Sequence, residues 1–389
     1  MDAITPTLPT AKLDPREDHV HIASPHAGLS LFLRHLAPAN AEASAANRVV
    51  LYVHGGTFPS ALSVAHRLDG GAWRDSLCAA GFHVWALDFH GFGCLSDAYP
   101  EMAEPADAGP PLGCAEVASR QLEQAVRFIC ERHGIARLSL IAHSWGCIVA
   151  GRFAGRCPRL VERVVWFGPI AQRSPQGERV RLPAWRLISL RDQWDRFTAD
   201  VPAGELPVLS REHFAGWGEA YLDCDPASRT RTPHAVKVPS GAFQDIYDAW
   251  AGELAFEPGL VRAPVAIIRG EWDGMCADAD ARWLFDALSA AATRRDIKLG
   301  RATHLMHLET GRFALYRETG TFLLAGDSAQ VPIGLASLGT LSGQHCLSLN
   351  VHSGWTPDVR KPCGLSGIST GGRLALVHDS SRLRENYVP

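Results

Sequence analysis

Ser144 stands in Ala142-His143-Ser144-Trp145-Gly146, between the apolar run Leu138-Ser139-Leu140-Ile141 and an apolar stretch from Cys147 through Ala150 to Phe153. A serine on a tight turn between a buried strand and a helix is held strained and exposed. Its hydroxyl points out of the sheet, and the amide N–H groups of the helix start face any negative charge that develops beside it. Both flanking positions need small residues because such a turn is crowded, and Ala142 and Gly146 supply them. A serine hydroxyl is a weak nucleophile near neutral pH, so it needs a base, and the base needs an acid to orient it. His304 lies in the loop Gly300-Arg301-Ala302-Thr303-His304-Leu305-Met306-His307-Leu308-Glu309, after the short strand Asp296-Ile297-Lys298-Leu299. Asp273 lies in Arg269-Gly270-Glu271-Trp272-Asp273-Gly274, after the strand Pro264-Val265-Ala266-Ile267-Ile268. His307 is the rival base and Glu271 the rival acid. Each residue also has a bland reading. A serine between small residues is often only a turn, and Asp273 could cap the helix near Ala277, although Asp278 and Asp280 can do that instead.

Two further loops follow strands. Arg48–Val53 runs into His54-Gly55-Gly56-Thr57-Phe58, whose glycines let the backbone turn sharply. Phe82–Leu87 runs into Asp88-Phe89-His90-Gly91-Phe92-Gly93-Cys94-Leu95-Ser96, read as glycine turns with Asp88 bonding backbone.

The elements that must position these loops alternate along the chain. Strands are expected at 19–24, 28–36, 48–53, 82–87, 138–141, 161–167, 264–268 and 296–299. Helices are expected at 72–80, 115–133, 146–156, 277–292 and 309–324. Such alternation predicts an α/β protein with a doubly wound, mostly parallel eight-stranded sheet and helices on both faces. Parallel sheets bind ligands beyond the carboxyl ends of their strands, and Ser144, Asp273, His304 and the His54 loop all sit at such ends.

Against this pattern, residues 1–18 read as a polar arm. Residues 19–169 and 263–325 read as the core, and 170–262 as an inserted helical lid. Residues 326–389 read as a poorly ordered tail with no catalytic part. The insertion holds Trp185, Trp194, Phe197, Phe214, Trp217, Tyr221, Phe243, Tyr247 and Trp250, either a roof over a pocket or the insertion's own small core. Arg173, Arg179, Arg181, Arg186, Arg191 and Arg196 crowd its first part. They either select an anionic substrate or form a solvated face with Asp192 and Asp195.

The chain resembles the α/β-hydrolase superfamily over roughly residues 19–325. The carriers are the serine turn, with Ala142 where the family has glycine, and the order serine, acid, histidine on successive loops. The His54-Gly55-Gly56 segment, an Asp88-x-x-Gly-x-Gly-x-Ser loop and the His304-x-x-x-x-Glu309 spacing, with Thr303 where the family has glycine, agree. The resemblance implies a catalytic triad of Ser144, His304 and Asp273. It implies an oxyanion hole from the backbone amides of Gly56 and Trp145, and a cap over the pocket. Thr57, a less favoured amide donor, joins Phe58, His143, Trp185, Trp194, Trp217 and Trp250 as pocket candidates. The expected activity is hydrolysis of a small to medium, largely apolar carboxylic ester or lactone, with no cofactor. A lyase, carbon–carbon bond hydrolase or acyltransferase would use the same triad. A non-catalytic ligand-binding protein would leave the intact triad unexplained. Dehalogenase and epoxide-hydrolase relatives place Asp where Ser144 stands.

Composition bounds the rest. The 389 residues are 46% hydrophobic and 20% charged, ordinary for a globular enzyme, and the net charge of −3 argues against non-specific nucleic-acid binding. No segment approaches the roughly 20 apolar residues that span a bilayer. The amino terminus lacks the basic and apolar regions of a secretory signal. The ten cysteines are read as reduced small hydrophobes, since no Cys-x-x-Cys or His-Glu-x-x-His spacing marks a metal site. A cytoplasmic protein is expected, and the sequence is compatible with a homodimer.

Overall fold

The computed structural model describes residues 12–38, 48–175 and 179–325. The first eleven residues of the expected arm and the whole of the expected tail lie outside the described residues. In chain order the strands are β1 (Asp18–Ala23), β2 (Ser30–Leu36), β3 (Val49–Val53), β4 (Arg67–Leu68), β5 (Gly71–Ala72), β6 (His83–Asp88), β7 (Leu138–His143), β8 (Val161–Phe167), β9 (Trp185–Ser189), β10 (Ala235–Pro239), β11 (Val265–Gly270) and β12 (Arg294–Leu299). The α-helices are α1 (Trp73–Ala79), α2 (Ala115–His133), α3 (Trp145–Arg156), α4 (Leu190–Thr198), α5 (Arg211–Leu222), α6 (Gly241–Trp250), α7 (Asp278–Ala287) and α8 (Arg312–Leu324).

Eight strands form one sheet in the order β1-β2-β6-β3-β7-β8-β11-β12. The ladders β1–β2 and β2–β6 are antiparallel, and every other pairing in the sheet is parallel. The expected eight-stranded, mostly parallel sheet is therefore present. β3, β7 and β11 are buried along their whole length, as their largely apolar sequences require when helices cover both faces. Alternate residues divide between those faces. Val50, Tyr52, Val84, Ala86, Val165, Phe167, Ala266 and Ile268 share one cluster with Trp73 and Leu77 of α1 and Leu315 and Phe322 of α8. Trp85, between Val84 and Ala86, instead packs edge-on to Phe128 of α2.

Several boundaries differ from expectation. The predicted helix over 277–292 ends at Ala287. Its alanine-rich continuation must turn back into the sheet, where Val265 donates to the Thr293 carbonyl. The helix predicted from 309 starts at Arg312, which lengthens the loop that carries His304. The insertion is not purely helical: β9 and β10 pair as an antiparallel ribbon from Ala235–Ser189 to Pro239–Trp185. Its last helix, α6, is joined to the core. The carboxylate of Asp245 accepts the Ala115 N–H at 2.6 Å and the Trp145 indole N–H at 2.7 Å.

Residues 12–17 of the expected arm lie against the sheet. Glu17 is fully buried and accepts hydrogen bonds from Arg34, Arg74 and the Leu13 N–H. Burial alone would raise its carboxyl pKa, but Arg34 and Arg74 outweigh burial and hold it below the usual value. Removing one member of a buried ion network leaves uncompensated charge, at a cost of about 3–5 kcal/mol. Glu17→Gln should therefore lower the unfolding free energy from urea titration by that amount, read as a lower midpoint at unchanged m-value. A loss below about 1 kcal/mol would show that water reaches the two guanidinium groups.

Candidate active site

β7 ends at His143 and α3 begins at Trp145, so one residue makes the whole turn. That residue is Ser144, with φ 53° and ψ −124°. A non-glycine residue rarely adopts this backbone, and the strain persists only when the surroundings over-determine it. Here they do. Ser144 N–H donates to the Phe167 carbonyl on β8, and its own carbonyl accepts from Cys147 N–H. At Gly146 a Cβ would stand 2.4 Å from the His54 carbonyl oxygen, so α3 passes against the loop after β3 with no room for a side chain.

The loop after β12 brings His304 to this turn. Ser144 Oγ lies 2.8 Å from His304 Nε2. On the other side of the ring, Nδ1 lies 3.0 and 3.1 Å from the two carboxylate oxygens of Asp273. An ionised carboxylate only accepts, so Nδ1–H donates to Asp273, Nε2 carries the lone pair and the serine hydroxyl donates to it. All three residues are buried, Ser144 at 6%, His304 at 4% and Asp273 at 3% exposure. Asp273 Oδ1 also accepts the N–H groups of Met275 and Cys276, which fixes the carboxylate plane. The predicted cap of α7 is a different residue: Asp280 reaches back to Ala277 N–H.

The rivals are engaged elsewhere. Glu271 is exposed and accepts Arg301 N–H. His307 is buried between Phe58, His143 and Phe167, and burial first, then repulsion from His304, pushes its pKa down to about 3. His143, a pocket candidate on sequence grounds, lies beneath the site instead. It stacks on Phe167 with ring centroids 4.4 Å apart, and its Nε2 donates to the His304 carbonyl at 3.1 Å, so it supports the loop.

The loop after β3 lies alongside. His54 is buried, accepts Phe89 N–H at Nε2 and donates from Nδ1 to the Gly55 carbonyl. Asp88 accepts Ser60 N–H at 2.7 Å, tying this loop to the end of β6. A Cβ on Gly56 would sit 2.8 Å from Ala242 Cβ and 3.8 Å from Trp145 Cβ, so Gly56 and Trp145 are neighbours across the turn. Thr57 and Phe58 are buried, and Phe58 contacts Trp217 and Phe197 of the insertion. Trp217 itself donates to the Leu62 carbonyl. The other tryptophans face elsewhere. Trp185 donates to the Glu104 carbonyl beneath the Lys237 ammonium. Trp194 packs on Phe214 in a surface cleft of about 350 Å³, and Trp250 lies under Arg173. Arginines of the insertion are also engaged: Arg173 grips Asp280 and the Gly274 carbonyl, Arg179 pairs with Glu253, and Arg186 and Arg196 lie over Phe243.

Two contributors escaped sequence reading. Gly168, just after β8, has φ 54°, and a Cβ there would stand 2.9 Å from the His304 ring and 3.1 Å from Asp273 Oδ2. A glycine ending a predicted strand was its available signal. Asp200, from the insertion, accepts Gly274 N–H next to Asp273. Burial and then the Asp273 charge push its pKa up to about 6. No sequence pattern marks it.

Buried acids of this kind give stability a pH dependence. Burial pushes Asp245 up to about 7, against the opposing hydrogen bonds from Trp145 and Ala115. Its unfolded value is near 4. The folded state therefore holds a proton that the unfolded chain releases, and the stability this confers below about pH 4 is lost as pH rises through about 7. Asp245→Asn should gain on the wild type steadily from pH 4.5 to 7.5 in urea titrations. A pH-independent difference would mean that Asp245 is already ionised in the folded protein.

Residues 50–314, more than half of the chain, match the model of the Alpha/beta hydrolase family. The haloalkane dehalogenase DbeA from Bradyrhizobium elkani superposes with a TM-score of 0.51 at 18% identity, over 80% of this chain and 99% of that one. A carboxylesterase structure from the thaumarchaeon Nitrososphaera gargenis gives 0.51 at 12% identity, over 79% and 100%. The thioesterase domain from the curacin biosynthetic pathway gives 0.50 at 13%, over 79% and 99%. At these identities the likeness to each is one of fold. The strand order, the one-residue turn at Ser144 and the family match lead to one conclusion: the chain belongs to the alpha/beta hydrolase family.

Proposed function

We propose that this protein is a serine hydrolase that cleaves a carboxylic ester or lactone of a small to medium, largely apolar substrate through an acyl-enzyme. The observation that carries this reading is the unbroken relay from Ser144 Oγ through His304 to Asp273. His304 takes the serine proton as Oγ attacks the acyl carbonyl, then returns it to the leaving alcohol. Asp273 holds the imidazole in the required tautomer and stabilises the imidazolium. The amides of Gly56 and Trp145 receive the oxyanion, each worth roughly 3–4 kcal/mol in comparable sites. Water then enters by the same general-base route and releases the acid. The aromatic group of Phe58, Phe197 and Trp217 beside the loop after β3 supports an apolar acyl or alkyl partner.

A fluorophosphonate probe should add one adduct by intact mass, and Ser144→Ala should abolish it. Equal labelling of the variant would sink the assignment. On p-nitrophenyl esters, His304→Ala should lower kcat by several orders of magnitude. His307→Ala should act mainly through stability, because its ring touches Phe58, His143 and Phe167. The reverse ranking in folded variants would move the base to His307.

The insertion supplies substrate choice in this reading. An apolar pocket discriminates by about 1–3 kcal/mol per methylene. Phe197→Ala should therefore shift the preferred acyl length, whereas Trp185→Ala, whose indole faces Glu104 and Lys237, should keep the wild-type profile. If a folded Phe197→Ala keeps it too, selection belongs to the sheet-edge loops.

A further inference from the structure

Three histidines meet at the opposite end of the sheet from Ser144. His35 is the penultimate residue of β2, His83 opens β6 and His133 closes α2. One ring nitrogen from each lies within 4.8 Å of the other two. His35 Nε2 and His83 Nδ1 are 3.1 Å apart. Because β6 starts here, the cluster is at the amino ends of the parallel strands, whereas Ser144, Asp273 and His304 lie past the carboxyl ends.

We propose that His35, His83 and His133 form a binding site for a divalent transition ion, with Zn²⁺ the best fit, that staples β2, β6 and the end of α2 together. Three neutral imidazoles with one position left for water are a ligand set that Zn²⁺ accepts in tetrahedral geometry. In such a site, with Zn–N near 2.0–2.1 Å, ligand nitrogens stand about 3.4 Å apart. The His35–His83 pair is already close to that spacing, and half-buried His133 must close a shift on the order of 1 Å.

The surroundings prepare two of the three lone pairs, and His83, whose Nδ1–H donates to His35 Nε2, must change tautomer to bind through that atom. His35 Nδ1 donates to Asp18 Oδ2 at 3.2 Å, which leaves the lone pair on Nε2, the nitrogen that faces His83. A carboxylate behind a histidine orients metal-binding imidazoles and raises their basicity. His133 Nε2 accepts the Trp85 indole N–H at 3.0 Å, so a lone pair is present there too, and the ion takes it in place of the indole. Burial lowers all three pKa values, and repulsion within the cluster adds to this for His35 and His133, which fall to about 4. His83 and His133 are only half-buried, which gives an ion a way in.

Full-length protein is stripped with a chelator, dialysed, and titrated with Zn²⁺ by calorimetry. Co²⁺ absorption is recorded in parallel. One ion per chain should bind, with visible bands of tetrahedral Co²⁺ and no thiolate charge-transfer band, and Zn²⁺ should raise the melting temperature. His83→Gln/His133→Gln, at half-exposed positions, should keep the wild-type circular dichroism but lose both the binding and the melting shift. Asp18→Asn, which removes only the orienting carboxylate, should weaken binding about 10–100-fold. No stoichiometric binding by the wild type would overturn the proposal and leave a packing cluster of neutral rings. Binding that survives unchanged in the double variant, or a thiolate band, would overturn it by placing the ion elsewhere.

Discussion

The close approach of backbones at the carboxyl edge of the sheet governs everything else in this site. Four loops, after β3, β7, β11 and β12, converge here, with His304 bonded to Ser144 on one side and to Asp273 on the other, and the end of β8 packed between them. That leaves no volume for side chains where the loops cross. A Cβ on Gly146 would meet the His54 carbonyl at 2.4 Å, one on Gly270 would meet the Ala302 carbonyl at 2.1 Å, and one on Gly168 would press on the His304 ring. Glycine at these places is a steric necessity. The strained φ of Ser144, of order 1–3 kcal/mol, is held by the same crowding, because the turn is fixed to the Phe167 carbonyl and to the start of α3. Strain and orientation share one cause: the turn that strains Ser144 also sets its hydroxyl against His304.

A second theme is that long-range polar contacts join parts that the chain order separates. Asp245, from the insertion, accepts from both the start of α2 and the indole of Trp145, next to Ser144. Arg173 reaches Asp280 and the Gly274 carbonyl, bracing the loop that holds Asp273. Asp200 accepts the neighbouring Gly274 N–H. The insertion therefore braces the Asp273 loop as well as bonding the indole next to Ser144. A substitution there can alter the relay geometry with no contact to Ser144. At the far edge, Glu17 neutralises two buried arginines and fixes the chain just ahead of β1.

Much of this was legible in the residues themselves. Unbroken apolar strands such as Val49–Val53 and Val265–Ile268 predict a sheet covered on both faces, and α2 was readable from end to end because its apolar period is clear and Gly134 stops it with φ 64°. Ser144, Asp273 and His304 could be named because local pattern and chain order carry them: each follows an apolar strand. The choice of His304 over His307 was also a local reading, yet its physical ground is tertiary. Phe58, from a loop some 250 residues earlier in the chain, packs beside His307 and helps hold it in the core.

What the sequence by itself determined was the order of elements and the residue types at the strand ends, because burial period and turn chemistry act over a few neighbours. Tertiary structure alone decided the partners of side chains whose role depends on distant groups. It turned His143 from a pocket wall into a support for the His304 loop, and turned three of the four lid tryptophans toward the insertion and its margins. It added an antiparallel ribbon to a lid expected to be helical, and it gathered His35, His83 and His133 from two strands and a helix into one cluster. The physical reason is the same in each case. A hydrogen bond or an aromatic contact spans a few ångströms of space, while the residues that make it are separated by tens to hundreds of positions, and no local pattern encodes that distance.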